Sequence, residues 1–180
     1  MISYNSKIHH RQSIRLRGYD YSQAGAYFIT ICTHHRECLF GEVVDRQMHF
    51  KVGCIVAEEW LRSSKIRSGI ELDEWVIMPN HIHAIVVFKS SVGIPDPVGA
   101  HSCAPLHRKP RSLPSLIAGF KSATTKRINE IRQTPKIPVW QRNFYEQIIR
   151  NEGSLSKIQQ YIINNPSNWL HDTENLTNSI

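Results

Sequence analysis

Residues 71–88 read ELDEWVIMPNHIHAIVVF, two β-branched and aromatic runs separated only by Pro79 and Asn80. Turn-forming residues between two such runs fold them into an antiparallel hairpin, here Glu71 to Met78 and His81 to Phe88. Upstream, Ala26 to Thr33 (AYFITICT) has the composition of a central strand. Its apolar face is either Tyr27, Ile29 and Ile31 or the alternate set Phe28, Thr30 and Cys32. Cys38 to Lys51 alternates around Gly41 and Asp45 and reads as a second, shorter hairpin.

Between these hairpins, Val52, Ile55, Val56 and Trp60 recur at helical spacing, and Gly69 follows the basic end at Lys65 and Arg67, which predicts an amphipathic helix over 52–67. Leu113, Ile117, Phe120, Ile128 and Ile131 share a face of a second helix that ends before Pro135 and Pro138. A short strand is expected over Val139 to Tyr145. A last helix follows, capped by Ser154 or Ser156 and limited by Pro166. This order predicts an α+β architecture in which helices cover one face of an antiparallel sheet. Residues 1–25 read as a basic arm, 26–170 as the domain, and 171–180 as a short polar tail. Pro95, Pro97, Pro105 and Pro110 mark 89–112 as a loop or linker.

Composition narrows the function. The longest apolar stretch, around Ala84 to Phe88, is far too short to cross a membrane, and the N-terminus has no apolar signal core, so a cytoplasmic chain with no membrane partner is expected. Lys and Arg total 22 against 15 Asp and Glu, for a net charge of +7. A surface of this sign attracts polyanions, nucleic acid first, although solubility alone can also select it. Cys32, Cys38, Cys54 and Cys103 form no CxxC pair and read as reduced thiols, with Cys54 a small core residue.

His81 and His83 occupy alternate positions of a strand, so both imidazoles project from one face and can reach one metal ion. Tyr161 and Asn165 lie one turn apart on the last helix, at the edge of the stripe made by Leu155, Ile158 and Ile162. Packed on the sheet, that stripe would carry a phenol and an amide towards the histidine face. Spacing alone leaves plain alternatives open: a core or solvated histidine pair, a tyrosine packing its ring, an asparagine closing the helix. His34, His35 and Cys38, or His101, Cys103 and His107, are a second pair of imaginable zinc sets, each lacking a matching half.

The combination of MPNHIHAIV (78–86), WQRNFYEQIIRN (140–151) and YIINNPSNW (161–169), in that order, resembles the REP-associated tyrosine transposases, a branch of the single-tyrosine HUH transposases that act on single-stranded DNA. The resemblance spans Ala26 to Trp169. It implies a ferredoxin-like or RRM-like antiparallel palm, with His81 and His83 on a divalent ion, Tyr161 as nucleophile on the C-terminal helix, and Asn165 as a further ligand. It also implies Mg²⁺ or Mn²⁺ as cofactor, and single-stranded or hairpin DNA as partner of a monomer or homodimer. The reaction implied is cleavage and rejoining through a 5′-phosphotyrosine. Arg11, Arg15, Arg17 and Tyr19, with Lys121, Lys126, Arg127, Arg142 and Arg150, are the candidate DNA contacts, combining cations with an aromatic ring. Tyr145, among Trp140 and Phe144, is the rival nucleophile. A hairpin-binding protein that no longer cleaves, or a hydrolase using the histidines to activate water, are the competing readings.

Overall fold

The computed structural model describes residues 19–89 and 111–175. Six strands and three helices follow one another as β1 Gly25–Cys32, β2 Gly41–Val44, β3 Gln47–Phe50, α1 Gly53–Lys65, β4 Ile70–Met78, β5 His81–Phe88, α2 Leu113–Arg132, β6 Tyr145–Ile149 and α3 Glu152–Asn164. Four of the strands form an antiparallel sheet in the order β4-β5-β1-β6, and β2 and β3 form a separate hairpin. The architecture is α+β, as expected, with the predicted 71–88 hairpin supplying one edge strand, β4, and the interior strand beside it, β5.

Period-two alternation gives this sheet two chemically different faces. One carries Tyr27, Ile29 and Ile31 of β1 with Ile82, Ala84, Val86 and Phe88 of β5, and it packs on Ile55, Val56 and Trp60 of α1 and on Leu116, Ile117 and Phe120 of α2. The other carries Phe28, Ile85 and Ile149, covered by Ile162, Leu155 and Ile158 of α3. Both alternates of the Ala26 to Thr33 stretch are therefore used, one on each side. α1 and α2 take one face together, while α3 crosses the opposite one.

Several local expectations need correction. Ile131 is exposed at the end of α2, although Ile128 one turn earlier is buried. Cys54 is also exposed, since it sits on the outer side of α1 between the buried Gly53 and Ile55. The last strand begins at Tyr145 rather than at Val139. The preceding segment is held differently: Trp140 makes one isolated bridge to Thr33, and its indole Nε1 donates to Thr124 Oγ1 at 2.8 Å. The cap of α3 is Asn151, whose side chain accepts from the Ser154 amide at 2.8 Å. Gly41 is sterically required, because a Cβ there would run into the His49 carbonyl across the β2–β3 hairpin.

α1 and α2 are joined by charge as well as by packing. Arg127 donates to Glu59 at 2.8 Å and to Glu58 at 2.5 Å, and Glu59 is buried. Phe120 fills the centre of the same layer, its ring centroid 5.0 Å from Trp60 and 5.5 Å from Trp140. Phe120→Ala is expected to cost about 3–5 kcal/mol through lost burial and the cavity left behind. Urea denaturation measures it, and a loss below about 1 kcal/mol would contradict this packing.

Candidate functional site

On the α3 side of the sheet, β5 presents His81 and His83 next to each other, with ring centroids 4.4 Å apart. Both are buried. Their outer nitrogens are taken: His81 Nδ1 lies 2.8 Å from Asn80 Oδ1, and His83 Nδ1 lies 2.8 Å from Thr30 Oγ1 on β1. The Asn80 amide nitrogen donates to the carbonyls of Arg36 and Glu174, which fixes its oxygen towards His81 and makes His81 Nδ1 the protonated nitrogen. The Nε2 lone pair of His81 therefore faces inwards, buried and without a hydrogen-bond partner.

α3 brings Tyr161 over this pair. Its hydroxyl is 3.1 Å from His83 Nε2, and its ring meets Phe28 edge-on at 6.1 Å. The other side of the ring is open, with 46% of the residue exposed. One turn on, Asn165 is buried and donates to Asp172 Oδ2 at 2.8 Å. Its own Oδ1 is buried without a partner.

Asp172 is the residue that sequence reasoning missed. It lies within the stretch read as a polar tail, yet it is buried. With His81 and His83 it forms a group whose ligand atoms all lie within 4.8 Å of one another. This group can hold a metal ion. Two imidazoles oriented from behind and a carboxylate, with His81 Nε2 buried and unpartnered, suit a divalent cation. The tail is stitched down beyond it. Glu174 pairs with Arg36 at 2.7 Å and accepts from Cys32 Sγ at 3.3 Å, and its amide donates to Asp172 Oδ1 at 2.7 Å. An acidic residue shortly after the YIINNPSNW motif was the available signal; the polar run around it concealed its burial.

Electrostatics follow from burial. It lowers His83 to about 4, the Asp172 charge opposing it. It lowers His81 well below the ordinary histidine range, with His83 and Arg36 adding to the effect. Both rings are neutral at pH 7, the form that ligates metal. Burial first, then the charges of Asp172 and Glu174, push the Tyr161 phenol up to about 12.

The proposed DNA contacts that fall among the described residues do not all share one surface. Arg11, Arg15 and Arg17 lie outside the described residues, as do His101, Cys103 and His107. Tyr19 packs edge-on against Tyr21, at 4.9 Å, and its hydroxyl is 3.3 Å from that of Tyr27, so its ring belongs to a tyrosine cluster. Arg127 is engaged by Glu58 and Glu59. Arg150 follows the end of β6 that pairs with Ala26, away from the histidines. Lys121, Lys126 and Arg142 line a single cavity beside α2. Tyr145, on the strand next to Thr30, stands 6.2 Å from Phe28 and is partly exposed. Among the described residues, His34, His35 and Cys38 form no metal-holding group.

Comparison with known proteins agrees with this architecture. No protein-family model matches the chain. The structure of a REP-associated tyrosine transposase bound to a REP hairpin superposes with a TM-score of 0.52 at 19% identity, over 85% of this chain and 72% of that one. The chain thus has the fold of the REP-associated tyrosine transposases, the group that its motifs resemble. An uncharacterized protein of Haemophilus influenzae (strain ATCC 51907 / DSM 11121 / KW20 / Rd) is 39% identical over 175 residues, 94% of this chain and 95% of that protein. The chain belongs to one family with it. Among the described residues no helix is long and apolar enough to cross a membrane.

The buried histidines make stability depend on pH. An unfolded histidine takes up a proton near pH 6.5, whereas His83 stays neutral in the folded chain down to about pH 4. Between these values the unfolded state binds more protons, so stability falls as pH drops through that window. In EDTA, urea titrations from pH 7 to pH 4 are expected to show a loss of roughly 3 kcal/mol from this one residue, and His83→Gln should remove that share. An unchanged slope in the variant would contradict the assignment.

Proposed function

We propose that this protein is a metal-dependent DNA transposase or nickase that cleaves and rejoins single-stranded or hairpin DNA, in the cytoplasm, through a 5′-phosphotyrosine on Tyr161. The observation that carries the reading is the meeting of the Tyr161 hydroxyl with His83 at the edge of the His81, His83 and Asp172 group. The REP hairpin held by the solved structure of the same fold supports DNA as the partner. In this reading residues 1–25 are a basic arm, 89–112 a loop, and the catalytic domain runs past 170 to take in Asp172.

His81 and His83, through Nε2, and Asp172 would hold Mg²⁺ or Mn²⁺, with Asn165 orienting the carboxylate and offering Oδ1 as a further oxygen. A cation bound there polarises a phosphodiester and favours the phenolate. Tyr161 supplies the nucleophile, on a helix that fixes its position and with one ring edge open to a strand of DNA. Its proton leaves to water along that open edge. The Oη–P bond forms as the P–O3′ bond breaks, and the departing 3′-oxygen takes up a proton. The reverse displacement by a 3′-hydroxyl reseals the strand and returns the phenol, so no nucleotide hydrolysis is needed.

Two measurements test this reading. Saturating Mn²⁺ is expected to raise the melting temperature of the wild type, by the equivalent of about 2.7 kcal/mol at a hundred times Kd, and to leave Asp172→Ala and His81→Ala unmoved. A rise of equal size in Asp172→Ala would exclude that carboxylate as a ligand.

With labelled hairpin DNA and Mn²⁺, denaturing electrophoresis should show a covalent protein–DNA adduct in the wild type and in Tyr145→Phe, and none in Tyr161→Phe. An adduct that survives Tyr161→Phe refutes the nucleophile. DNA retained by the wild type without any adduct would instead mark a protein that binds hairpins and does not cut them.

A further inference from the structure

The geometry points to a latch inside the centre: the Tyr161 hydroxyl and a divalent cation compete for one atom, His83 Nε2, so the nucleophile must leave its imidazole before that nitrogen can ligate. This inference rests on the metal-dependent reading above and concerns the regulation of that same site. The three residues of the group differ in what their ligand atoms already do. His81 Nε2 is buried without a hydrogen-bond partner, so it is available as it stands. The Asp172 carboxylate accepts from Asn165 Nδ2 and from the Glu174 amide, yet its two oxygens offer about four lone-pair sites, which leaves others for a metal. His83 is the exception. Its Nδ1 lies 2.8 Å from Thr30 Oγ1 and its Nε2 lies 3.1 Å from Tyr161 Oη. A ring nitrogen has one in-plane site, either an N–H or a lone pair, so a nitrogen bonded to the phenol cannot also ligate. The conflict holds for both tautomers. With the proton on Nδ1, Nε2 spends its lone pair on the phenolic O–H; with the proton on Nε2, it has no lone pair to give.

Tyr161 can leave while its helix stays in place. The open side of its ring gives the phenol a way outwards by side-chain rotation. The contacts that hold α3 do not involve the hydroxyl: Asn151 caps its start, Gln159 Nε2 donates to Asp73 Oδ1 on β4 at 2.8 Å, and Ile162 is fully buried against the sheet. What the phenol gives up is one hydrogen bond and a tilted contact with the His83 ring, at 5.1 Å between centroids. The net worth of such a bond is modest beside that of a set of metal ligands, so the latch weakens ligation without forbidding it. Freeing the nucleophile and completing the ligand set are thus one exchange. By linkage, any contact that draws the phenol outwards raises the affinity for the cation by the same factor.

The test needs neither DNA nor turnover. Mn²⁺ is titrated into the full chain after treatment with EDTA and dialysis, and the EPR signal of the free ion reports how much is bound. Tyr161→Phe keeps the ring that meets Phe28 and removes only the hydroxyl. It is expected to bind Mn²⁺ about three- to tenfold more tightly than the wild type, the worth of one neutral hydrogen bond. Tyr145→Phe should bind as the wild type does. In wild type labelled with 3-fluorotyrosine, saturating Mg²⁺ should shift the one ¹⁹F resonance, among those of six tyrosines, that Tyr161→Phe lacks. An unchanged Mn²⁺ affinity in Tyr161→Phe overturns the latch, as does a weaker one, which would make the phenolic oxygen itself a ligand. A Tyr161 resonance unmoved by saturating Mg²⁺ overturns it too. If any of these results comes with an intact Tyr161-dependent adduct on hairpin DNA, the cleavage reading survives and only the latch is wrong. A wild type that takes up no Mn²⁺ overturns the latch, and one that also forms no adduct overturns the cleavage reading with it.

Discussion

Everything in this molecule depends on β5 being a strand buried on both faces. It lies between β4 and β1, so its backbone groups are consumed by neighbours and its side chains alone distinguish the two sides. Even positions supply Ile82, Ala84, Val86 and Phe88 to the main core. Odd positions begin with two imidazoles before turning apolar at Ile85. Placing two histidines inside a sheet layer costs desolvation, which appears as the depressed pKa of each ring. The cost is contained because each ring finds a fixed hydrogen-bond partner at its outer nitrogen. Rigidity and neutrality thus come from the same contacts.

Much of this was legible in the sequence. The 71–88 hairpin, the central strand at 26–33 and the two amphipathic helices follow from periodicity, since each buries a continuous stripe and periodicity reports burial directly. The shared face of His81 and His83 follows from the same rule. The position of Tyr161 one turn before Asn165 was readable too, because both sit at the margin of the α3 stripe rather than inside it. What periodicity could not assign was the side of the sheet that each helix covers. That depends on handedness and on chain lengths between elements, so the placement of α3 opposite α1 and α2 emerges only from the coordinates.

The less legible residues share a property: they act through backbone or through other side chains. Asn80 reads as a turn residue, and it is one; its amide also bridges three segments and sets the tautomer of His81. Thr30 alternates in a strand like any β-branched residue, while its hydroxyl supports His83. Asp172 carries no periodic signal, lying after the 3-10 turn Pro166–His171. Charge was misleading in the other direction. Arg127 and Tyr19 have the residue types of nucleic-acid contacts, but an acidic pair on α1 claims one and a tyrosine cluster claims the other. A cation's availability depends on its neighbours, which sequence spacing does not report.

The stitching of Glu174, whose amide holds Asp172, onto Asn80, Cys32 and Arg36 spans as many as 142 positions. On the ribosome, the sheet and its first two helices have all their own residues in hand well before these acids emerge. Until then the imidazole pair lacks its carboxylate, so the last ligand of the group is also the last of its residues to be made. A chain that stops short of Asp172 carries both imidazoles and the Tyr161 phenol without the carboxylate that completes the group.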